Sequence, residues 1–293
     1  MKIIDGKAIA AEIRNEIKKE VAAMIDAGLE APHLAAILIG DDPASHTYVN
    51  NKEKACREVG ITSSVYRQSD KISEKELLDM VDFLNNDDDI DGFIVQLPLP
   101  AHIREDRILE RIKPSKDVDG FHPVNLGRMI QGLPSFISAT PMGIVELIKR
   151  AGIETEGKHC VVAGRSNIVG TPVSILLSRK SQPGDCTVTL CHSRTKNLEK
   201  FTSQADILIA AIGKPQFFTG EMVKKDAVVI DVGIHRVESE SSPTGYKMVG
   251  DVNFEEVSKK ASFITPVPGG VGPMTIVSLL MNTLKAARKE IYG

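Results

Sequence analysis

Short apolar runs alternate along this chain with longer stretches of helical periodicity, and that alternation dictates a mostly parallel sheet covered by helices. The run LAAILIG, residues 34–40, is too brief for a helix and stops at Gly40, so it reads as a buried strand. A helix precedes it, spaced from about Gly6 to Ala27. DDPASH then turns the chain into a helix that carries Tyr48 and Lys52 and ends at Gly60. A strand at TSSVYR, a helix at SEKELLDMVDFLNN and a strand at GFIVQLPLP complete a first series. Ser73 opens that second helix with Glu76 three residues on, the pattern of a capping box.

IKPSKDVDGFHPVN, residues 112–125, reads as a loop rich in Pro, Asp and Gly. TPMGIVELIKRAG starts a fresh helix, with Thr140 as N-cap and Pro141 at the first helical position. A second alternation follows: strand KHCVVAG, helix VGTPVSILLSR, then strands CTVTLCH, ADILIAAIG and AVVIDVGIH. After SFITPVPGGVGP a last helix runs from Met274 to the end of the sequence. The expected fold class is therefore α/β with two domains. One comprises residues 1–139 joined by the last helix, 273–293; the other, 140–272, is a Rossmann-like dinucleotide-binding domain.

At 293 residues the chain has room for two cores, and 42% hydrophobic with 26% charged residues is an ordinary globular balance. A formal net charge of −3 gives no general reason to bind nucleic acid or a membrane surface. No apolar run is long enough to span a bilayer, and the charged N-terminus has no signal-peptide pattern. Cys56, Cys160, Cys186 and Cys191 lie far apart with no Cys-x-x-Cys pair, and His46, His122 and His192 are scattered. Neither a disulfide scaffold nor a metal site is expected, and the plain reading is a reduced, cytoplasmic protein.

CVVAGRSNIVGTPVS follows a strand and opens a helix, the setting of a phosphate-cradling turn. Only the first glycine of Gly-x-Gly-x-x-Gly is present, as Gly164. Ser166 and Val169 fill the second and third positions, and the next glycine is Gly170. A tight turn without a ligand is the alternative. The following strand ends in CHSRT, residues 191–195, where a cofactor without a 2′-phosphate is usually met by an acid. Here Ser193 and Arg194, with Arg165, offer donors to a phosphate, which favours NADP over NAD. Two solvated arginines are the plainer reading.

YVNNK, residues 48–52, places a tyrosine and a lysine four apart on one helix face. The same spacing marks short-chain dehydrogenases, but there it lies downstream of the glycine-rich turn in the same domain. Here it lies far upstream, in the other domain. On residue type alone Lys52 is a solvated helix lysine beside Lys54, and Asp119, before Gly120, is ordinary turn chemistry. Gln96 at a strand end reads equally as a partner for neighbouring backbone, and PVPGGVGP as a tight helix entry.

Taken together and in order, YVNNK, GFIVQLPLP, KDVDGFHP, GRSNIVGTP and TPVPGGVGPMT resemble the bifunctional methylenetetrahydrofolate dehydrogenase/methenyltetrahydrofolate cyclohydrolase family. The resemblance covers nearly the whole chain. It implies two α/β domains flanking a cleft, a homodimer formed through the cofactor domains, and a place in one-carbon metabolism. The implied reactions are oxidation of 5,10-methylenetetrahydrofolate by NADP⁺ and hydrolysis of the methenyl cation to 10-formyltetrahydrofolate. Lys52 matches the family's essential lysine, Tyr48 its stacking tyrosine, Gln96 its supporting glutamine and Asp119 its pterin-binding aspartate. Val49, Asn50, Asn51, Val95 and Leu97 flank these on the substrate side, as do Pro268, Gly269, Gly270, Val271 and Gly272. The cofactor side comprises Gly164, Arg165, Ser166, Ile168, Val169, Gly170, Ser193, Arg194 and Ile234. A lysine in a desolvated cleft suits proton transfer to or from water attacking an amidinium-like carbon. Two features depart from the family. SATP carries Ala139 where a cysteine is common, and the loop SRKSQPGDC is long.

Overall fold

The structure, a computed structural model, describes residues 1–239, 242 and 245–292. The chain opens with β1 (Lys2–Ile3), α1 (Gly6–Asp26), β2 (His33–Ile39), α2 (Pro43–Val59), β3 (Thr62–Gln68), α3 (Glu74–Asn86) and β4 (Gly92–Val95). Helices α4 (Glu105–Arg111), α5 (Pro123–Ile130) and α6 (Ala139–Arg150) follow. Then come β5 (His159–Ala163), α7 (Gly170–Ser178), β6 (Thr187–Cys191), α8 (Leu198–Thr202), β7 (Ile207–Ala210) and β8 (Val228–Asp231). The chain closes with β9 (His235–Glu238), β10 (Tyr246–Val249), α9 (Phe254–Val257), β11 (Phe263–Ile264) and α10 (Val271–Ala287).

Two compact units result. One holds Met1–Ala10 with Thr140–Thr275, the other Ala11–Ala139 with the chain from Ile276 on. The first ten residues therefore go with the dinucleotide-type unit and not with the domain expected from the sequence. The cause is β1, which pairs parallel with β11 through Lys2↔Phe263 and Ile3↔Ile264. Two residues are too few to carry a period-2 signal.

The unit around α2 contains a three-stranded parallel sheet in the order β3-β2-β4. The capping box forms as expected at α3: Ser73 Oγ accepts the Glu76 N–H, and Glu76 accepts the Ser73 N–H at 2.8 Å. Leu77, Val81 and Leu84 on α3 pack with Ile37, Phe93 and Val95. Each fully buried side chain of this size stabilises the fold by about 1.5–3 kcal/mol.

The other unit has a parallel sheet of six strands, β1-β11-β8-β7-β5-β6, and a separate antiparallel hairpin, β9 with β10. Strands β7 and β8 are buried along their whole length, as a parallel sheet covered on both faces requires. The strand order reverses at β5, which lies between β6 and β7, and this is the Rossmann-like arrangement.

Several expected elements shift. Part of the loop 112–125 is helix α5, with Pro123 at its start and the His122 ring accepting the Val124 N–H at 3.0 Å. Helix α6 begins at Ala139, so Thr140 lies inside its first turn and is not the cap. AVVIDVGIH breaks after Asp231 into β8 and β9, and α10 begins at Val271, three residues before Met274. Among the described residues, no helix is long and apolar enough to cross a membrane.

Candidate active site

Helix α2 is opened by Asp42, which accepts the Ser45 N–H at 2.8 Å, with Pro43 at its start, and is closed by Gly60 at φ +85°. Its buried stripe includes Val49, Cys56 and Val59. Lys52 falls three residues after Val49 and four before Cys56, so it borders that stripe, whereas Lys54 is exposed. This spacing was the available sign that Lys52 is not another solvated lysine.

Lys52 Nζ donates to Gln96 Oε1 at 3.2 Å, and Gln96 Nε2 donates to the Leu97 carbonyl at 2.7 Å. An ammonium only donates and a carbonyl only accepts, so the two contacts fix which end of the amide meets Lys52. The Gln96 N–H donates to the Ile37 carbonyl at 2.9 Å, which anchors the residue as it leaves β4. Tyr48, one turn before Lys52, is 53% exposed. Asn50 accepts from Arg67 at 3.2 Å, and Asn51 is exposed. Val49 and Val95, expected on the substrate side, are 1% and 2% exposed and belong to the core. Their side chains have no access to a ligand. Leu97 is half-buried.

Asp119 sits in the same unit on a turn with several supports. Asp117 accepts the N–H groups of Phe121 at 3.2 Å and His122 at 2.8 Å, and Asn125 Nδ2 at 2.8 Å. Gly120 is left-handed at φ +71°, and a Cβ there would lie 2.6 Å from the Ser138 nitrogen. Asn282 of α10 donates to the carbonyls of Val118 at 2.8 Å and Ile137 at 2.9 Å. Burial raises the Asp119 carboxyl above its ordinary value, against which the positive charge of Lys52 works. Burial pushes Asp117 up to about 7. Lys52 is thus hydrogen-bonded to Gln96 and close enough to Asp119 for its charge to act on that carboxyl.

In the other unit β5, β6, β7 and β8 end on one rung, Ala163↔Cys191, Ala163↔Ala210 and Ala210↔Asp231. The loops that follow leave from one edge and enclose a cavity of about 370 Å³. Its lining includes Arg165, His192, Ser193, Thr195, Lys214 and Phe217, and no carboxylate. Gly164, at φ +121°, leaves no room for a Cβ against the Ala211 carbonyl. A Cβ at Gly170 would collide with the Gly164 carbonyl, so Gly170 does the close packing that the motif assigns to the place of Val169. Ser166 Oγ accepts the N–H groups of Val169 at 3.1 Å and Gly170 at 3.4 Å, so its hydroxyl caps α7. Ile168 and Ile234 are exposed. Arg194 is exposed and outside the cavity lining; its N–H donates to His192 Nδ1 at 3.2 Å. Lys214, Thr195 and Phe217 line the cavity although nothing in the sequence marked them. A glycine cradle, cationic side chains and the lack of an acid fit a phosphate-bearing nucleotide.

Pro268 to Gly272 lie in this second unit, with Gly269 at φ +111° accepting the Lys7 N–H at 3.1 Å. A Cβ at Gly6 would collide with the Gly270 carbonyl, one at Gly270 would lie 2.7 Å from the Pro266 carbonyl oxygen and from Thr265 Cβ, and Val271 is buried. All four cysteines are buried, and burial pushes the Cys56 thiol up to about 12, which removes it as a nucleophile.

Sequence comparisons match both parts of the chain. The profile of the tetrahydrofolate dehydrogenase/cyclohydrolase catalytic domain matches residues 4–119, and that of the family's NAD(P)-binding domain matches residues 138–291. The bifunctional protein FolD of Bacteroides thetaiotaomicron is 59% identical over 292 residues, covering 100% of each chain. The crystal structure of the bifunctional enzyme FolD from Campylobacter jejuni superposes with a TM-score of 0.93 at 49% identity, over 99% of each chain. FolD of Trypanosoma brucei, solved with NADP cofactor and inhibitor, gives 0.91 at 37% identity, over 99% of this chain and 98% of that one. The chain belongs to the tetrahydrofolate dehydrogenase/cyclohydrolase family.

Proposed function

We propose that Lys52, Gln96 and Asp119 form the hydrolytic group of this enzyme, and that Tyr48 seats the folate ring system beside them. The chain is an NADP-dependent methylenetetrahydrofolate dehydrogenase and methenyltetrahydrofolate cyclohydrolase. The first step oxidises 5,10-methylenetetrahydrofolate to the methenyl cation. The second adds water to that carbon, breaks one of its two C–N bonds and releases a proton with 10-formyltetrahydrofolate. NADP⁺, when bound, accepts the hydride of the first step.

The observation that carries the reading is the 3.2 Å contact from Lys52 Nζ to Gln96 Oε1. It directs the one cation bordering the buried face of α2 to a fixed place, where it handles the proton of the attacking water. Asp119 accepts from the pterin amino and ring N–H groups, a charge-assisted pairing. Oxidation needs the folate methylene set against the nicotinamide, and the protein's part is to hold both. Arg165 and Ser193 at the carboxylate-free cavity receive the 2′-phosphate of NADP. We also expect a homodimer, measurable by light scattering in solution. The four unpaired, buried cysteines accord with a reducing cytoplasm.

The test is an optical assay of the purified protein with 5,10-methylenetetrahydrofolate and NADP⁺ or NAD⁺, following NADPH and the methenyl species together. NADPH formation with methenyl species consumed faster than in an enzyme-free control is expected. Methenyl species decaying only at the control rate would remove the hydrolytic role of Lys52.

A further inference from the structure

The nucleotide cavity is bordered by a loop, Ile212 to Lys214, whose backbone is held from behind by one carboxylate. Asp251 is fully buried. It accepts the N–H groups of Ile212 at 2.6 Å and Gly213 at 3.0 Å on Oδ2, and that of Lys214 at 2.9 Å on Oδ1. Oδ1 also meets His235 Nε2 at 2.8 Å. Asp231 in turn accepts the N–H groups of Asp251 at 2.9 Å, Val252 at 3.0 Å and Gly233 at 3.0 Å. Three successive N–H groups directed at one carboxylate give the loop a single conformation, which fixes the point from which the Lys214 side chain starts.

That side chain lines the cavity with its Nζ 5.5 Å from the centroid of Phe217, another lining residue. Among the described residues Lys214 has no ion-pair partner. The charge of Asp251 is committed to four donors behind the loop. Lys214 shares the cavity with His192 and Ser193, which follow β6. In sheets of this order that strand end receives the adenosine ribose, the part on which NADP and NAD differ.

We infer that Lys214 is a specificity-determining residue whose ammonium takes the 2′-phosphate of the nucleotide together with Arg165 and Ser193. The inference rests on the cavity being the NADP site and adds a cation from a third loop. Lys214 is exposed at the cavity wall, so its replacement leaves the core untouched.

Calorimetric titration of the full chain with adenosine 2′,5′-bisphosphate and with 5′-AMP separates the two phosphates. Lys214→Met is expected to weaken the bisphosphate about tenfold and 5′-AMP less than twofold, the size of one charge-assisted contact. The ratio of kcat/KM for NADP⁺ over NAD⁺ should fall by the same factor, and Lys214→Arg should keep most of it. An equal loss on both probes would put Lys214 on a group the two nucleotides share, and no loss would leave it in solvent. Either result overturns the inference while the cofactor reading stands. A native protein that binds neither probe would overturn the cofactor reading itself, and the inference with it.

Discussion

Lys52 and Gln96 lie 44 residues apart in the chain, yet the lysine ammonium and the glutamine Oε1 meet at 3.2 Å at the carboxyl edge of a three-stranded sheet. The contact ties helix α2 to the residue that leaves β4. Replacing Lys52 with Met should therefore remove the hydrolytic step and leave the fold intact. Consumption of added methenyltetrahydrofolate is expected to fall to the enzyme-free rate, with the melting temperature moved by about 2 °C or less, since Lys52 is only half-buried. Near-native hydrolysis by this variant would sink the assignment.

Gly170→Ala should damage the nucleotide unit more than so small a change suggests. The new methyl would meet the carbonyl of Gly164, which is backbone and has nowhere to move. A loss of about 3 kcal/mol of stability is expected, with NADP⁺ binding lost in parallel. Urea unfolding and nucleotide titration of the same preparation would check both.

Asn282→Leu leaves two carbonyls, of Val118 and Ile137, without their donor in a buried place. About 1–3 kcal/mol for each sets the scale of destabilisation. Because Val118 precedes Asp119, KM for methenyltetrahydrofolate should rise about tenfold while kcat falls less, the split that one contact's worth of loosened binding predicts. An unchanged KM would show that the turn holds without Asn282.

Stability should also depend on pH through Asp117, whose carboxyl burial raises from 3.8 to about 7. The folded state then keeps a proton that the unfolded chain releases. This contribution is full below about pH 4 and is lost as pH rises towards 7. Asp231, raised to about 6, acts with the same sign. Denaturant unfolding of the native chain and of Asp117→Asn across pH 4 to 8 should show the native chain losing ground to the variant up to about pH 7 and none beyond it. A difference that stays flat would refute the buried-proton account.

The elements legible in the sequence are those whose burial is periodic. Helix α3 shows its stripe and its capping box, and β2, β5 and β7 are apolar almost throughout because both faces are covered. Helix α5 is hidden because Pro123 and Gly127 read as loop residues, and its cap is a histidine ring and not a serine or aspartate. The start of α10 is hidden for a related reason: Val271 and Gly272 sit in its first turn, where glycine and proline are tolerated. Strand β9 alternates over just four residues, and its partner β10 has its first three residues exposed, so the pair carries little period-2 signal.

Site residues divide along the same line. Gly164 and Gly170 are legible because a missing side chain is a sequence fact with a backbone consequence. Lys52 was ambiguous by type, although its place between Val49 and Cys56 indicated the buried side. Lys214 was silent, since its relation to His192 and Ser193 arises only when β5, β6 and β7 align their ends. Arg194 shows the converse: a promising residue at the right strand end that stays outside the cavity lining.

The pairing of β1 with β11, and of Asn282 with a carbonyl 164 residues earlier, bears on how the protein is made. Neither unit is a continuous stretch of chain. As a ribosome extends the polypeptide, the turn carrying Asp119 emerges early but waits for its last donors, and the edge of the larger sheet waits for its partner across almost the whole length. Cutting the gene at the apparent domain boundary would therefore yield two fragments, each missing a clasp. Each half thus draws part of its structure from the far end of the other half's stretch of chain.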